Sequence, residues 1–422
     1  MKRRIIFCLD GTWNNTFKEE TKVDGSKIVK PSNILKIARA VMPIDASGNQ
    51  QIVYYSTGIG SSASYPGIAN NILSKIDNIT GGIWGAGLET KLEEAINFLT
   101  NNYSTKANSK IHDEVFIFGF SRGAATARAI CQFLAWMGFV LDKRDAYFLP
   151  HFIRKFFKSR NTGSGLQFLQ ELKTNHPNAK FHPTKDITIN FLGVFDTVLS
   201  LGSRLFLSEP NPFLNRQAVP NCISKAVQAL AVDESRLDFH PNIWTKHSEH
   251  QTLKQRWFPG VHSNIGGGYP NDGLANCSLH WLIHEARSLG AAFDADYLGK
   301  YRPWFGDTLY DSNTGPFVLL DKIRRRSGVR NIQLAEQHVN LSYFVFERMM
   351  FDSEKSNANT YRPHNVIEYL QKERVTVDKI ITLYLSQGYD FGNTEELNPQ
   401  NNKLIQKRIR LTELLKALNI NS

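Results

Sequence analysis

Ser121 lies in the sequence G-F-S-R-G, in which two glycines flank a serine at alternate positions. The run before it, residues 115–118, is apolar and strand-prone, and the alanine-rich run after it to Met137 has helical spacing. A nucleophile elbow needs this order of strand, sharp turn and helix, because glycines let a strained turn pass close to its neighbours. The pattern predicts a nucleophilic Ser121, with a structural turn serine as the alternative.

An acid and a base follow two later strand-like runs. Asp196 comes directly after the buried run 186–195, and His262 follows the run 254–258 on a glycine-rich turn, P-G-V-H-S-N-I-G-G-G-Y. In open α/β sheets, ligands gather outside the carboxyl ends of the strands. Ser121, Asp196 and His262 also occur in the chain order of the α/β-hydrolase triad. We expect them to form that triad; the alternative for His262 is a turn histidine in water.

The chemistry of such a triad assigns a role to each residue. His262 would take the proton of Ser121 as the serine attacks an acyl carbon, and Asp196 would fix the imidazole tautomer. The oxyanion would be held by the N–H of Arg122 and by one from Gly11 or Thr12, because a loop after an early strand supplies the second donor in this fold. A tight turn capped by its own aspartate is the alternative for the early loop.

Two other acidic motifs are less suited to catalysis. The D-G-T sequence at 10–12 looks like the first motif of haloacid-dehalogenase phosphatases, but those need an aspartate where this chain has Cys8. The A-V-D-E-S-R sequence at 231–236 lies on a segment with helical character, and we interpret Asp233, Glu234 and Arg236 as a structural ion network.

The elements that must position these residues indicate an α/β fold of the α/β-hydrolase type, with a mostly parallel central sheet flanked by helices. Residues 1–366 are expected to form the catalytic domain, and 367–422 a helical extension packed on it. A block at about 139–185 has no strand pattern and is placed like a lid. Its aromatic and basic residues, such as Phe152, Phe156 and Lys155, could face a lipid interface. The favoured interpretation is a helix packed on the core with its lysines in water.

Composition narrows the class of protein. The 422 residues are 41% hydrophobic and 21% charged, which is ordinary for a globular chain. The net charge of +11 is spread without a recognition motif, so no nucleic-acid partner is expected. Four distant cysteines suit reduced thiols, and Asp10 interrupts the first apolar run too early for a signal peptide. We expect no transmembrane span and a cytoplasmic protein without a cleaved signal, or one exported by a secretion system.

The combined motifs resemble the DUF2235 α/β-hydrolase domain, which includes phospholipase effectors of type VI secretion. The motifs are C-L-D-G-T-W-N, G-F-S-R-G-A-A-T-A-R, G-V-F-D-T-V, D-E-S-R, F-P-G-V-H-S-N-I-G-G-G-Y and the late Y-R-P at 361–363. The resemblance implies the same triad and an ester substrate, with phospholipid acyl chains as the leading case. It implies an immunity or secretion partner and peripheral membrane contact. No metal or other cofactor is expected.

This chain departs from the family pattern at two positions of the base region. Asn264 stands where the family has an aspartate after His-Ser, and Asn276 stands where it often has an acidic residue in the next helix. The leading hypothesis is a serine esterase of the phospholipase A kind. The alternatives are an inactive hydrolase fold that acts as a binding or effector module, and an amide or thioester hydrolase with the same triad.

Overall fold

The computed structural model describes most of the chain. The described residues are 3–11, 19–21, 27–29, 31–58, 82–104, 113–158, 163–177, 181–185, 187–198, 217–236, 239–246, 248–312, 330–332, 339–354, 360–392, 394, 400 and 402–420. Thr12, most of the glycine-rich stretch before residue 82 and the apolar run 317–320 lie outside them.

A seven-stranded sheet forms the centre of the molecule, in the order β11-β10-β9-β8-β5-β1-β4. Every pairing in it is parallel. Its strands are β1 (Arg3–Leu9), β4 (Gln50–Ser56), β5 (Glu114–Phe120), β8 (Ile189–Phe195), β9 (Ile223–Ala231), β10 (Thr252–Phe258) and β11 (Val339–Leu341). Two short ladders pair β2 (Glu19–Thr21) with β3 (Lys27–Val29) and β6 (Phe139–Val140) with β7 (Thr184–Lys185). The predicted α/β class is confirmed.

Helices connect the strands and cover both faces of the sheet. They are α1 (Asn33–Ala40), α2 (Gly82–Asn102), α3 (Arg122–Met137), α4 (Leu149–Lys158), α5 (Gly165–Asn175), α6 (His262–Gly266), α7 (Gly273–Arg287), α8 (Ala295–Gly299), α9 (Tyr343–Glu354), α10 (His364–Lys372), α11 (Val377–Ser386) and α12 (Lys403–Ala417). In the described part of the chain, no helix is both long enough and apolar enough to span a bilayer.

Strand alternation divides the core between the two faces. Ile5 and Phe7 of β1 point into a cluster with α2 and α3, whereas Ile6 and Cys8 point into one with α1 and α7. Successive strand residues face opposite sides of a sheet, so apolar runs without polar alternation produce a strand buried on both faces. The triad candidates therefore sit on a rigid scaffold.

A third apolar cluster lies at the β10–β11 edge. It joins Trp257 and Leu341 to α9, α10, α11 and α12, in agreement with the prediction of two or three helices after residue 366. The expected domain boundary at residue 366 falls inside α10, so the helix runs across it without a break. The Gln387 amide donates to the carbonyl of Leu341 in β11 and accepts the N–H of Tyr343 at the start of α9.

The block at 139–185 contains α4 and α5 between β6 and β7. Phe152 and Phe156 are fully buried in the same cluster as α3, and Tyr147 is exposed. A β-carbon on Gly165 would lie 2.6 Å from the Cα of Met137, so α5 begins directly against the end of α3. These phenylalanines belong to the core, as the packed-helix interpretation expected.

Strand β9 was not recognised in the sequence, and the interpretation of 231–236 as helical is wrong. The strand ends at Ala231, and 232–236 follow it without helical structure. Its alanines, lysine and glutamine hide the β signal, because strands covered on both faces usually read as continuous runs of Val, Ile and Leu.

Candidate active site

The serine turn joins β5 to α3. Ser121 has φ 57° and ψ −123°, a region that residues with side chains rarely adopt. The N–H of Ser121 donates to the carbonyl of Phe195 at 3.2 Å, and the carbonyl of Ser121 accepts the N–H of Val198 at 3.4 Å. Bonds to the end of the neighbouring strand thus hold a conformation that costs about 1–3 kcal/mol.

Two glycines allow the turn to pack so closely. A β-carbon on Gly119 would lie 2.6 Å from the Cα of Ala124, and one on Gly123 would lie 2.2 Å from the carbonyl oxygen of Leu9 and 2.4 Å from that of Asp10. These distances are shorter than real β-carbon contacts. The loop after β1 therefore packs directly on the first turn of α3.

Asp196 follows β8 and is 1% exposed. Its backbone is also in the left-handed region, with φ 39°. The carboxylate accepts the N–H of Ala231 at 3.0 Å on Oδ1, and Oδ2 lies 2.7 Å from Nδ1 of His262. The acid and base predicted from the sequence are thus in hydrogen-bond contact inside the protein.

Arg330 is a further member of this cluster that the sequence did not indicate. Its Nη1 donates to Oδ1 of Asp196 at 2.6 Å and its Nη2 to Oδ2 at 3.0 Å, and both side chains are 1% exposed. Burial by itself would raise the pKa of Asp196. The Arg330 charge and the hydrogen bonds from His262 and Arg330 outweigh burial and hold that pKa well below its usual range.

His262 begins the short helix α6 and is 5% exposed. Its ring lies between Phe120, at 4.7 Å between centroids, and the edge-on ring of Phe239, at 4.9 Å. A β-carbon on Gly266 would lie 2.0 Å from the ring of Phe120, so glycine is needed for this packing. Burial lowers the pKa of His262 below its ordinary value, and the bond to Asp196 acts in the opposite direction. A neutral imidazole is the form a general base requires.

Ser121 and His262 both lie at the carboxyl end of the sheet, after β5 and β10, and the ring of Phe120, which precedes Ser121, packs against the His262 ring. No hydrogen bond joins the Ser121 hydroxyl to His262 in the described part of the chain. Catalytic hydrogen bonds in ligand-free enzymes are often long and tighten with substrate. The triad role of Ser121 remains a prediction.

The acids of the D-E-S-R motif hold the turn that carries His262, here called the base turn, by accepting its backbone N–H groups. Glu234 accepts the N–H of His262 at 3.1 Å, and its other oxygen pairs with Arg236 at 2.8 Å. Burial would raise the pKa of Glu234, but the hydrogen bonds and charge of Arg236 bring it to about 2. Asp233 accepts the N–H of Gly260 at 2.6 Å and the hydroxyl of Tyr361 at 2.8 Å. Of the predicted network of Asp233, Glu234 and Arg236, the Glu234–Arg236 pair is confirmed. The late Y-R-P motif contacts Asp233 through Tyr361.

The loop predicted to supply an oxyanion donor is internally bonded. The N–H of Gly11 donates to Oδ1 of Asp10 at 2.7 Å, and Oδ2 accepts from Ser32 at 2.6 Å and Tyr55 at 2.8 Å. Arg122 is the first residue of α3, at the positive end of the helix dipole. Thr12 lies outside the described residues. Asp10 thus shapes this loop, as the turn interpretation expected.

Helix α1 links that loop to the base turn. Ser32, its N-cap, bonds Asp10 and forms a bridge with Gly267. The Asn33 amide is fully buried and donates to the carbonyls of Ile265 and Ala275, both at 2.8 Å. From the sequence, Ser32 or Asn33 was expected only to cap this helix, and the cap is Ser32.

Asn264 and Asn276, the two departures from the family pattern, both form hydrogen bonds. The Asn264 amide donates to the carbonyl of Thr308 at 3.1 Å, and its oxygen accepts the N–H of Val261 at 3.3 Å. Asn276 accepts from the buried Lys36 at 2.8 Å, and Asp272 pairs with the same lysine at 2.7 Å. Asp272 therefore supplies the negative charge that Asn276 lacks.

A family model for the catalytic domain of Tle1-like phospholipase effectors of the type VI secretion system matches residues 3–285. Among curated proteins, uncharacterized protein YEL023C of Saccharomyces cerevisiae is 26% identical over 252 residues. The aligned part covers 58% of this chain and 33% of the yeast protein. This chain therefore spans about a third of that relative.

Solved structures give two further similarities. One is the Tle1 effector bound to the VgrG spike from the type VI secretion system, at 20% identity and TM-score 0.35, covering 64% of this chain and 52% of that chain. The other is an uncharacterized protein from Pseudomonas aeruginosa, at 17% identity and TM-score 0.40, covering 99% and 64%. The family match spans more than half of the 422 residues. The chain therefore belongs to the family of Tle1-like phospholipase effectors of the type VI secretion system, which it matches over their catalytic domain.

Proposed function

We propose that this chain is a serine hydrolase that cleaves acyl esters of lipids, in the manner of a phospholipase A. The observation that carries the proposal is the buried 2.7 Å contact between His262 Nδ1 and Asp196 Oδ2, at the end of the sheet where Ser121 forms its strained turn. Membership in a family of phospholipase effectors supports the lipid class.

In this mechanism, Oγ of Ser121 attacks the acyl carbon while Nε2 of His262 takes its proton. The oxygen of the tetrahedral intermediate is stabilised by the N–H of Arg122, with Thr12 as the second donor, because the N–H of Gly11 already donates to Asp10. Collapse breaks the ester C–O bond, and the imidazolium returns the proton to the leaving alcohol. Water, deprotonated by His262, then attacks the acyl carbon. The bond between Ser121 Oγ and the acyl carbon breaks as His262 returns the proton to Oγ, which releases the fatty acid. Asp196 holds the imidazole and stabilises its charged form.

The proposed setting follows from the family. A lipid substrate implies peripheral contact with a bilayer, and the effector family implies export by a secretion system and a spike or immunity partner. The chain's own residues perform every step above, without a cofactor. The alternative, an inactive fold that serves as a binding or effector module, makes a different prediction for the nucleophile.

Labelling with a fluorophosphonate probe tests the nucleophile. We expect the wild-type protein to be labelled and Ser121→Ala to be unlabelled, with Ser342→Ala as a control that removes another buried serine. Phospholipid vesicles should yield fatty acid and lysophospholipid in parallel, read by mass spectrometry. A folded wild-type protein that takes no label would contradict the proposal. A Ser121→Ala protein that keeps the toxicity or binding of the wild type would support the inactive-module alternative. Thioester and p-nitrophenyl substrates separate the ester preference from the thioester one.

A further inference from the structure

The Asp196 carboxylate is saturated by four donors. Oδ1 accepts from the N–H of Ala231 at 3.0 Å and from Arg330 at 2.6 Å, and Oδ2 accepts from Arg330 at 3.0 Å and from His262 at 2.7 Å. A carboxylate has about four lone-pair sites, so no site remains for a competing partner. A bidentate guanidinium also fixes the plane of the carboxylate, which a single hydrogen bond cannot do.

Arg330 is itself held in place at its guanidinium and at its backbone carbonyl. Its guanidinium donates to the carbonyls of Ala231 at 3.0 Å and Phe239 at 2.5 Å. Its own carbonyl accepts the Asn365 amide at 2.9 Å, and the same amide donates to Val232 at 2.9 Å. Arg330 and Asn365 both lie beyond residue 285, where the family match ends. The clamp on the acid thus comes from the later part of the chain.

We propose that Arg330 is a positioning residue of the triad, which locks the Asp196 carboxylate so that Oδ2 stays aligned on His262, and that the segment carrying Arg330 and Asn365 is part of the catalytic unit. The inference rests on the proposed function, because it assigns a residue to that same site. Arg330 acts through Asp196.

The clamp has an electrostatic consequence for the base. The charged and titratable groups around His262 are Asp196, Glu234 and Arg236, with Arg330 behind Asp196. The Arg330 charge offsets part of the negative charge that Asp196 presents to the imidazole. The pKa of His262 is already lowered by burial, and removing Arg330 should raise it, because the carboxylate would then act on the ring uncompensated.

The test compares Arg330→Met and Arg330→Lys in the full chain, with kcat/KM measured against pH. Arg330→Met should lower kcat about tenfold to a hundredfold through misalignment and move the acid limb of the profile up by about one pH unit. Arg330→Lys keeps the charge without the two parallel donors, so it should lower kcat and leave the acid limb near that of the wild type.

Arg4→Met is the matched control. Arg4 is another buried arginine that pairs with carboxylates, Glu114 at 2.8 Å and Asp45 at 2.5 Å, at the opposite end of the sheet. Its loss should reduce stability and leave the pH profile unchanged. An acid limb that stays in place in Arg330→Met, as in Arg4→Met, would overturn the proposal and leave Arg330 a structural residue.

A readout without turnover separates this proposal from the proposed function. The titration of His262, followed by NMR in the Ser121→Ala background, should shift to higher pH when Arg330→Met is added. If the wild-type protein hydrolyses nothing, the proposed function fails, and this titration still decides the role of Arg330. Should Arg330→Met not fold, Arg330→Lys combined with Asn365→Leu carries the test: unchanged kcat in that variant would contradict the positioning role.

Discussion

The two ends of the parallel sheet use charge differently. At the amino ends of the strands, lysines and arginines pair with acids on other elements, as Arg4 does with Glu114 and as Lys225 and Lys254 do with Glu285. At the carboxyl ends, Asp196 and Glu234 also pair with arginines, and Asp196, Asp233 and Glu234 each accept a backbone N–H from a neighbouring strand end or turn. Ion pairs at the first end join elements, whereas the carboxylates at the second end also orient the turns that carry the proposed triad.

The carboxyl-end acids form a series from strand to strand. Asp196, after β8, accepts the N–H of Ala231 at the end of β9. Asp233 and Glu234, after β9, accept the N–H groups of Gly260 and His262 after β10. Each acid thus fixes the start of the next strand's turn. Two strained residues, Ser121 and Asp196, lie at this end, which indicates that its backbone is shaped for chemistry at some cost in stability.

The largest effect is expected at Gly123, where backbone meets backbone at the carboxyl end. In Gly123→Ala the new β-carbon would lie 2.2 Å from the Leu9 carbonyl, which cannot rotate away. We expect about 3 kcal/mol of lost unfolding free energy and loss of hydrolysis, measured by urea denaturation and ester turnover. Gly299→Ala, with no atom within 4 Å of the new carbon, is the control and should change stability little. A Gly123→Ala protein of wild-type stability and turnover would break the comparison.

Glu234 should make stability depend on pH at this end. Its pKa in the folded protein is about 2, below its ordinary 4.5, so its stabilisation is complete above pH 4.5 and is lost as the pH falls through the lower value. The difference in unfolding free energy between wild type and Glu234→Gln should therefore be about 2 kcal/mol smaller near pH 3 than at neutral pH. At still lower pH the total loss should reach about 3 kcal/mol.

Urea denaturation between pH 6 and pH 3 measures that difference. Glu171→Gln is the control, because it removes an exposed carboxylate from a surface pair with Lys155 and should change stability by less than about 0.5 kcal/mol. A gap between wild type and Glu234→Gln that stays constant with pH would show that the carboxylate does not support the base turn.

Much of this end of the sheet was predictable from sequence, because its signals are local. The strand before Ser121, the acid after a buried run and the histidine on a glycine-rich turn each occupy a few consecutive residues. Arg330 lies 134 positions from Asp196, and only the folded chain brings them together. Strand β9 was missed for a different reason: its alanines, lysine and glutamine interrupt the Val/Ile/Leu-rich run that is typical of a strand buried between two layers.

Tyr361→Phe removes one hydrogen bond from the carboxyl-end series. The hydroxyl donates to Asp233 at 2.8 Å, as does the N–H of Gly260 at 2.6 Å. Burial raises the pKa of the Asp233 carboxyl, and Tyr361→Phe removes one of the hydrogen bonds that oppose this shift. We expect about 1–2 kcal/mol of lost stability and a reduction of kcat by a few-fold, with KM nearly unchanged. Tyr369→Phe, a change to a half-buried tyrosine of the third cluster, is the control. Equal kinetics in the two variants would argue that Asp233 does not hold the base turn.

The smallest effect is expected at the amino end, with Lys254→Met. The Lys254 side chain is 47% exposed. In Lys254→Met, its partner Glu285 still pairs with the more buried Lys225, 2.5 Å away. Exposed ion pairs contribute about 0–1 kcal/mol, so stability should fall by about 0.5 kcal/mol and turnover should not change. Lys225→Met removes the buried partner of Glu285 instead and should cost several times more, because breaking a buried pair costs more than breaking an exposed one. Both variants should keep the wild-type pH profile, since neither charge faces His262; a shifted acid limb in either would show that the two ends of the sheet are electrostatically coupled.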